Sequence, residues 1–149
     1  AWRRQGTVGG FTMPNDLASA LAISASGMRA QGSRLKVVAQ NIANASSTSD
    51  KTGGDPYRRK IVTFANVLDK ELGTHLVEIK KLSEDKSPFR LQYDPNHPAA
   101  NEEGFVQMPN VNSLVEMMDM REAQRSYEAN LNMIEASKNM MSKTIGLLR

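Results

Sequence analysis

The chain has 149 residues, 40% of them apolar and 23% charged, with aromatics at 5% and a mean hydropathy of −0.47; this describes one modest domain with extended termini rather than a multidomain enzyme or a disordered tail. Lys and Arg outnumber Asp and Glu by 19 to 16, but Arg3 and Arg4 lie in an acid-free leader, so the excess without residues 1–12 is only +1. Phosphate binding needs clustered cations, so neither nucleic acid nor an anionic membrane surface is expected as the main partner, and the absence of cysteine excludes disulfide scaffolds, thiolate metal sites and cysteine nucleophiles.

Residues 1–12 form a Gly-rich stretch ahead of Met13 and read as a vector-derived leader or an overextended start, with a native N-terminal arm as the alternative. No apolar run approaches the roughly 18 to 20 residues that span a bilayer. The N-terminus also shows no uninterrupted apolar stretch followed by a small-residue cleavage site, so neither membrane insertion nor a cleaved secretory signal is expected.

A first helix is predicted over residues 13–44, with Asn15 or Asp16 as its N-cap. Its near-apolar positions step by four and three through Leu17, Leu21, Ser24, Met28, Gln31, Leu35, Val38 and Ile42. Ala18, Ala20, Ala22, Ala30 and Ala39 flank this seam, and such small residues let another helix approach closely.

Residues 45–112 form the middle. A polar loop from Ala45 to Pro56 is followed by short strand candidates at 59–64, 76–80, 89–93 and 105–108. Their apolar faces are narrow, which suits a small half-exposed β element. The densest cationic cluster, Arg58-Arg59-Lys60, reads as a solvated strand edge, because Lys and Arg commonly blunt edges. His97 lies between Pro95 and Pro98 with Glu102 and Glu103 nearby; a rigid turn is the expected reading and an oxygen/nitrogen metal site the alternative.

A second helix is predicted over 113–149, opened by a capping box in which the Ser113 hydroxyl and the Glu116 carboxylate satisfy each other's free amides. Its seam runs through Met117, Met120, Gln124, Tyr127, Leu131, Ile134, Lys138, Met141, Ile145 and Leu148, eight of ten positions being apolar. At about 1.5 Å per residue, residues 113–148 span roughly 54 Å, whereas a compact globule of this length has a radius of gyration of about 15 Å. A helix longer than its own globule exposes its seam unless a partner covers it. The shorter first helix covers part of it, which leaves the stretch from Ile134 onward for another subunit; an intramolecular antiparallel pair in a small bundle is the alternative. The expected fold is therefore mainly helical α+β, with long terminal helices packed as a coiled-coil-like pair around a small β-containing middle. No nucleophile motif or P-loop is present, and no enzyme or cofactor is expected.

The segment Ile23-Ser24-Ala25-Ser26-Gly27-Met28-Arg29-Ala30-Gln31, with Asn41-Ile42-Ala43-Asn44-Ala45, resembles the N-terminal helix of bacterial flagellar axial proteins. Three further stretches narrow the resemblance to the FlgC-type proximal rod proteins: Asp55-Pro56-Tyr57-Arg58-Arg59-Lys60, the run from Asp94-Pro95-Asn96-His97-Pro98 to Asn112, and Arg125-Ser126-Tyr127-Glu128-Ala129-Asn130. The resemblance implies a non-enzymatic structural subunit of the basal-body rod in the periplasm, whose terminal helices build a tubular, torque-transmitting wall around an export channel. It implies export through the flagellar type III apparatus without signal cleavage. The implied partners are copies of the chain, the FlgB, FlgF and FlgG types of rod protein, and the FliE-type adaptor. Leu17, Leu21, Met28, Leu35, Val38 and Ile42 would then meet Met117, Met120, Tyr127, Leu131, Ile134, Met141, Ile145 and Leu148 within and between subunits. Asn41, Asn44, Tyr57, Arg58, Asp94, His97, Pro109 and Asn110 are expected at inter-subunit loop contacts. A coiled-coil adaptor or regulator forming a closed dimer is the competing function, and it leaves the Asp94–Asn112 stretch without a role.

Overall fold

A computed structural model describes residues 13–149, so the reading of residues 1–12 as a leader lies outside the described residues. The elements in chain order are α1 (Met13–Ala43), β1 (Lys60–Asp69), β2 (Thr74–Glu84), β3 (Arg90–Tyr93), β4 (Phe105–Met108) and α2 (Ser113–Leu147). Two long terminal helices with a small β middle match the mainly helical α+β architecture expected from the sequence.

The helices run antiparallel along most of their lengths. Asn41 of α1 meets Glu116 of α2, Arg34 meets Asp119, and Gly27 faces Asn130. The close approach is built on small residues: a Cβ at Gly27 would lie 2.9 Å from the Asn130 amide nitrogen, and one at Gly32 would lie 3.8 Å from the Tyr127 ring. A second line of α1, containing the buried Ser26, Ala30 and Val37, turns toward the β1–β2 hairpin. There the Ser26 hydroxyl accepts the amide of Val77 at 3.2 Å. Burial on two lines explains why α1 shows no clean single-sided pattern.

Cap chemistry differs from the sequence expectation at both helices. α1 is already helical at Met13, so Asn15 and Asp16 sit within its first turn rather than capping it; Pro14 is tolerated there because the first turn's amides have no intrahelical acceptor. In α2 the cap is Asn112, whose side-chain oxygen accepts the amides of Leu114 and Val115. No capping box forms, because the Glu116 carboxylate turns into the interior. Asn44 closes α1 by donating its side-chain amide to the carbonyl of Gln40 at 2.8 Å.

β1 and β2 form a long antiparallel hairpin with a bulge between Thr63 and Phe64, where Lys80 is passed over in the register. Its tip is tied by the Asp69 carboxylate, which accepts the amides of Glu71 and Leu72, and by Gly73 at φ +63°. β3 and β4 make a separate two-stranded sheet, with Tyr93 and Phe105 edge-to-face at 5.3 Å. Between these strands, Gly104 adopts φ +82° with the Tyr93 ring so close that a Cβ would meet it at 2.9 Å, so only glycine fits. Among the described residues, no helix is long and apolar enough to cross a membrane.

Candidate assembly interface

The face that α2 turns toward α1 is read from burial. Glu116, Ala123 and Ser137 are buried, while Met120, Tyr127, Asn130 and Ile134 are half-buried. These positions keep the expected four-three stepping. Met120, Tyr127 and Ile134 belong to the sequence-predicted seam, but the alternate positions are Glu116, Ala123, Asn130 and Ser137 rather than Met117, Gln124, Leu131 and Lys138. Scoring apolar residues alone moved half of the stripe by one position, because the contact is lined by small and polar side chains. The larger apolar side chains of that stripe stay outside: Met117 is 52% exposed and Leu131 39%.

Further apolar surface flanks this contact, where Ala129, Met133, Ala136, Met140 and Leu147 follow helical spacing on α2 and are all exposed. Past Ser137 no residue of α2 is buried at all; Met141, Ile145 and Leu148 are exposed. On α1, Val38 is buried, and Leu17, Leu21, Met28, Leu35 and Ile42 are half-buried.

The opposite end of the helical pair is closed by polar chemistry. Glu116, 1% exposed, accepts from the Arg59 Nε and from the Asn41 side-chain amide, the latter at 3.1 Å. Asn41 also donates to the Lys60 carbonyl at 2.9 Å, while its oxygen accepts the Lys60 amide at 2.9 Å and the Tyr57 hydroxyl at 2.8 Å. One asparagine thus joins α1, the start of β1 and α2. Burial opposes charge on Arg59, but the hydrogen bond and charge of Glu116, with help from Asp85, hold its guanidinium above the ordinary value. Burial, then the carboxylates of Glu116 and Glu84, push the Tyr57 phenol up. Asp85 is held below the usual carboxylate range first by the Ser87 hydroxyl and amide and then by Arg59.

Asn110 extends the same knot. Its side-chain oxygen accepts the Arg59 amide at 2.8 Å, and its amide donates to the carbonyls of Asp85 and Ser87. Arg58 donates to those same carbonyls and lies 4.2 Å over the Phe89 ring. The cluster read from sequence as a solvated edge is therefore structural at Arg59. Sequence reasoning missed the Arg59–Glu116–Asn41 core of the knot; the available signal was that Glu116 falls seven residues before Ala123 and fourteen before Asn130, on the inner line of α2.

The eight expected loop-contact residues have different surroundings. Asn41 and Pro109 are buried inside the chain, and Tyr57, Arg58 and Asn110 have intramolecular partners. Asp94 accepts the His97 amide through its backbone carbonyl, and the His97 Nδ1 accepts the Ala99 amide at 3.1 Å, giving the rigid turn. Asn44 is half-buried at the end of α1, and its side-chain oxygen accepts the Ser47 hydroxyl.

Among the described residues no group of His, Asp and Glu could hold a metal ion; what the arrangement offers is a scaffold of two long helices with apolar flanks. Comparison with known proteins gives the class. Residues 21–49 match the family described as "Flagella basal body rod protein", and residues 102–147 match "Flagellar basal body rod FlgEFG protein C-terminal". These are structural proteins of the flagellar basal-body rod, not enzymes. Three similar proteins, each named flagellar basal-body rod protein FlgC, narrow the class. The one from Agrobacterium fabrum is 51% identical over 89% of this chain and 96% of its own length. Those from Bacillus subtilis and Salmonella typhimurium are 41% and 39% identical, each over 84% of this chain and over 93% and 92% of their own lengths. The chain belongs to the FlgC family of basal-body rod proteins.

Proposed function

We propose that the chain is a proximal-rod subunit that polymerises through its terminal helices into a tubular drive shaft transmitting torque around the export channel. In this reading residues 13–44 and 113–149 are axial and residues 45–112 form an outer segment. Its neighbours are copies of itself, rod proteins of the FlgB, FlgF and FlgG types and the FliE-type adaptor, and it reaches them through the flagellar type III apparatus without losing a signal peptide. The observation that carries the reading is the sidedness of α2: the intramolecular contact takes Glu116, Ala123, Asn130 and Ser137, while Met117, Leu131, Met133 and Met140 remain for neighbours. Burial of such side chains is worth about 1.5–3 kcal/mol each, and repetition along the helix makes assembly cooperative. Asn44, Arg58, Asp94 and His97, all half-buried, contribute to the loop contacts in this reading, while Asn41 and Pro109 lie buried within the chain.

Leu131→Asp separates this role from folding better than Ile134→Asp, because Leu131 is exposed while Ile134 is half-buried in the chain. The expected result is loss of swimming and of basal-body incorporation, with the subunit still exported and its helix content unchanged by circular dichroism. A swimming Leu131→Asp strain would overturn the assignment.

A further inference from the structure

A groove of about 500 Å³ at the base of the β1–β2 hairpin is lined by Arg58, Lys60, Lys81 and Lys86, together with Leu82, Ser83 and the single acid Glu84. In a chain whose net charge is only +3, four cations against one carboxylate is a marked local excess. None of these four cations belongs to an ion pair among the described residues. The neighbouring Asp85 carboxylate pairs with Arg59 and accepts from Ser87 rather than pairing with any of the four. The walls are also fixed in advance. Arg58 is held by two carbonyls and by the Phe89 ring, and the Lys60 backbone is clamped on both sides by Asn41.

The same chain displays the complementary charge elsewhere. Glu102 and Glu103 are exposed at the tip of the β3–β4 connection, and neither has an ion-pair partner among the described residues. Their turn is rigid: the Asn101 side-chain oxygen accepts the amides of Glu103 and Phe105, and Gly104 fixes the reversal. Neither carboxylate lines the groove of its own chain. An open polymer grows through heterologous contacts, in which one patch of a subunit meets a different, complementary patch of the next. Rigid display on both sides lowers the ordering cost of the contact, and opposite charge fixes its register.

We infer that the cationic groove of one subunit receives the Glu102–Glu103 turn of a second copy. This inference rests on the rod reading above, and it adds a polar contact between outer segments to the apolar contact between helices.

Because the chain contains no native cysteine, engineered thiols report the contact directly. Cells producing a Lys81→Cys chain together with a Glu102→Cys chain should yield, from isolated basal bodies under mild oxidation, a disulfide-linked dimer that is absent when either variant is present alone. Lys81→Glu/Lys86→Glu and Glu102→Lys/Glu103→Lys should each reduce incorporated subunit at least tenfold, and the chain carrying all four changes should recover it. Incorporation without any cross-link, or reversal of the lysines that the reversed glutamates do not rescue, overturns the groove–turn contact; the second result would assign the groove to some other anion, such as a cell-wall polymer. Absence of even the unsubstituted chain from basal bodies would instead overturn the rod reading itself.

Discussion

The two ends of the helical pair hold together by different physics. Near Glu116 the helices are locked to the β1–β2 hairpin by a buried ion pair, a doubly bonded asparagine and a tyrosine hydroxyl, all supplied by one chain. From Asn130 toward the α2 C-terminus, the contact rests on Gly27 and small side chains, and beyond Ser137 nothing on α2 is buried. Polar networks demand defined geometry, because a partly satisfied buried network costs more than none. Exposed apolar surface is tolerant of geometry but requires a cover. One end therefore fixes the shape of the subunit, and the proposed function assigns the other to assembly.

The largest test of that contrast is Glu116→Ala. It strands the partly buried Arg59 guanidinium and leaves the Asn41 amide without one acceptor. Breaking a buried pair from one side typically costs about 3–5 kcal/mol. Asp85 at 3.5 Å and Asp119 at 3.8 Å remain near Arg59 and soften the loss, so about 3 kcal/mol is expected from urea unfolding of the purified chain. A loss below about 1 kcal/mol would mean that the knot does not organise the fold.

Next in size is a pair of substitutions on one helix. Ala123 is fully buried between the helices, so Ala123→Leu should overpack the contact and cost about 2 kcal/mol. Met140 is 54% exposed beside that contact, so Met140→Ala should change monomer stability by less than about 0.5 kcal/mol while lowering incorporation into basal bodies. Equal effects on the isolated chain would erase the distinction between the packed line of α2 and its exposed flank.

Much of the architecture was legible because helical periodicity survives in a long element. The bounds expected for the second helix fall within two residues of α2, and β4 lies where Gly104 and Pro109 bracket it. What could not be read was the use of polar residues. Glu116 fits the pattern of a capping box, and only the three-dimensional position of Arg59, 57 residues earlier, shows that it points inward instead. Likewise, Ala123, Asn130 and Ser137 do not look like a packing stripe until the partner helix presents Gly27 and Gly32. The family resemblance was readable for a different reason: beside its helical motifs, two of its stretches lie around residues 55–60 and 94–112, where Gly104, Asn110 and Pro109 have geometric duties that few other residues can perform.

A further effect, smaller than those at Glu116 and Ala123, concerns pH at the knot. Tyr57 donates to the Asn41 oxygen, and burial together with Glu116 and Glu84 disfavours its phenolate. Its folded-state pKa is thus raised above the unfolded value near 10. The stabilisation is fully present below that value and is lost as pH rises through the folded pKa, where a phenolate can no longer donate and faces both an acceptor and a carboxylate. Tyr57→Phe should cost about 1 kcal/mol at neutral pH through the lost hydrogen bond. Its stability should then decline less steeply than that of the parent chain between about pH 9 and 11, so that the two urea midpoints converge. Parallel curves over that range would show that Tyr57 is not coupled to the carboxylate that joins α2 to the hairpin, and the polar end would then be no more demanding of geometry than the apolar one.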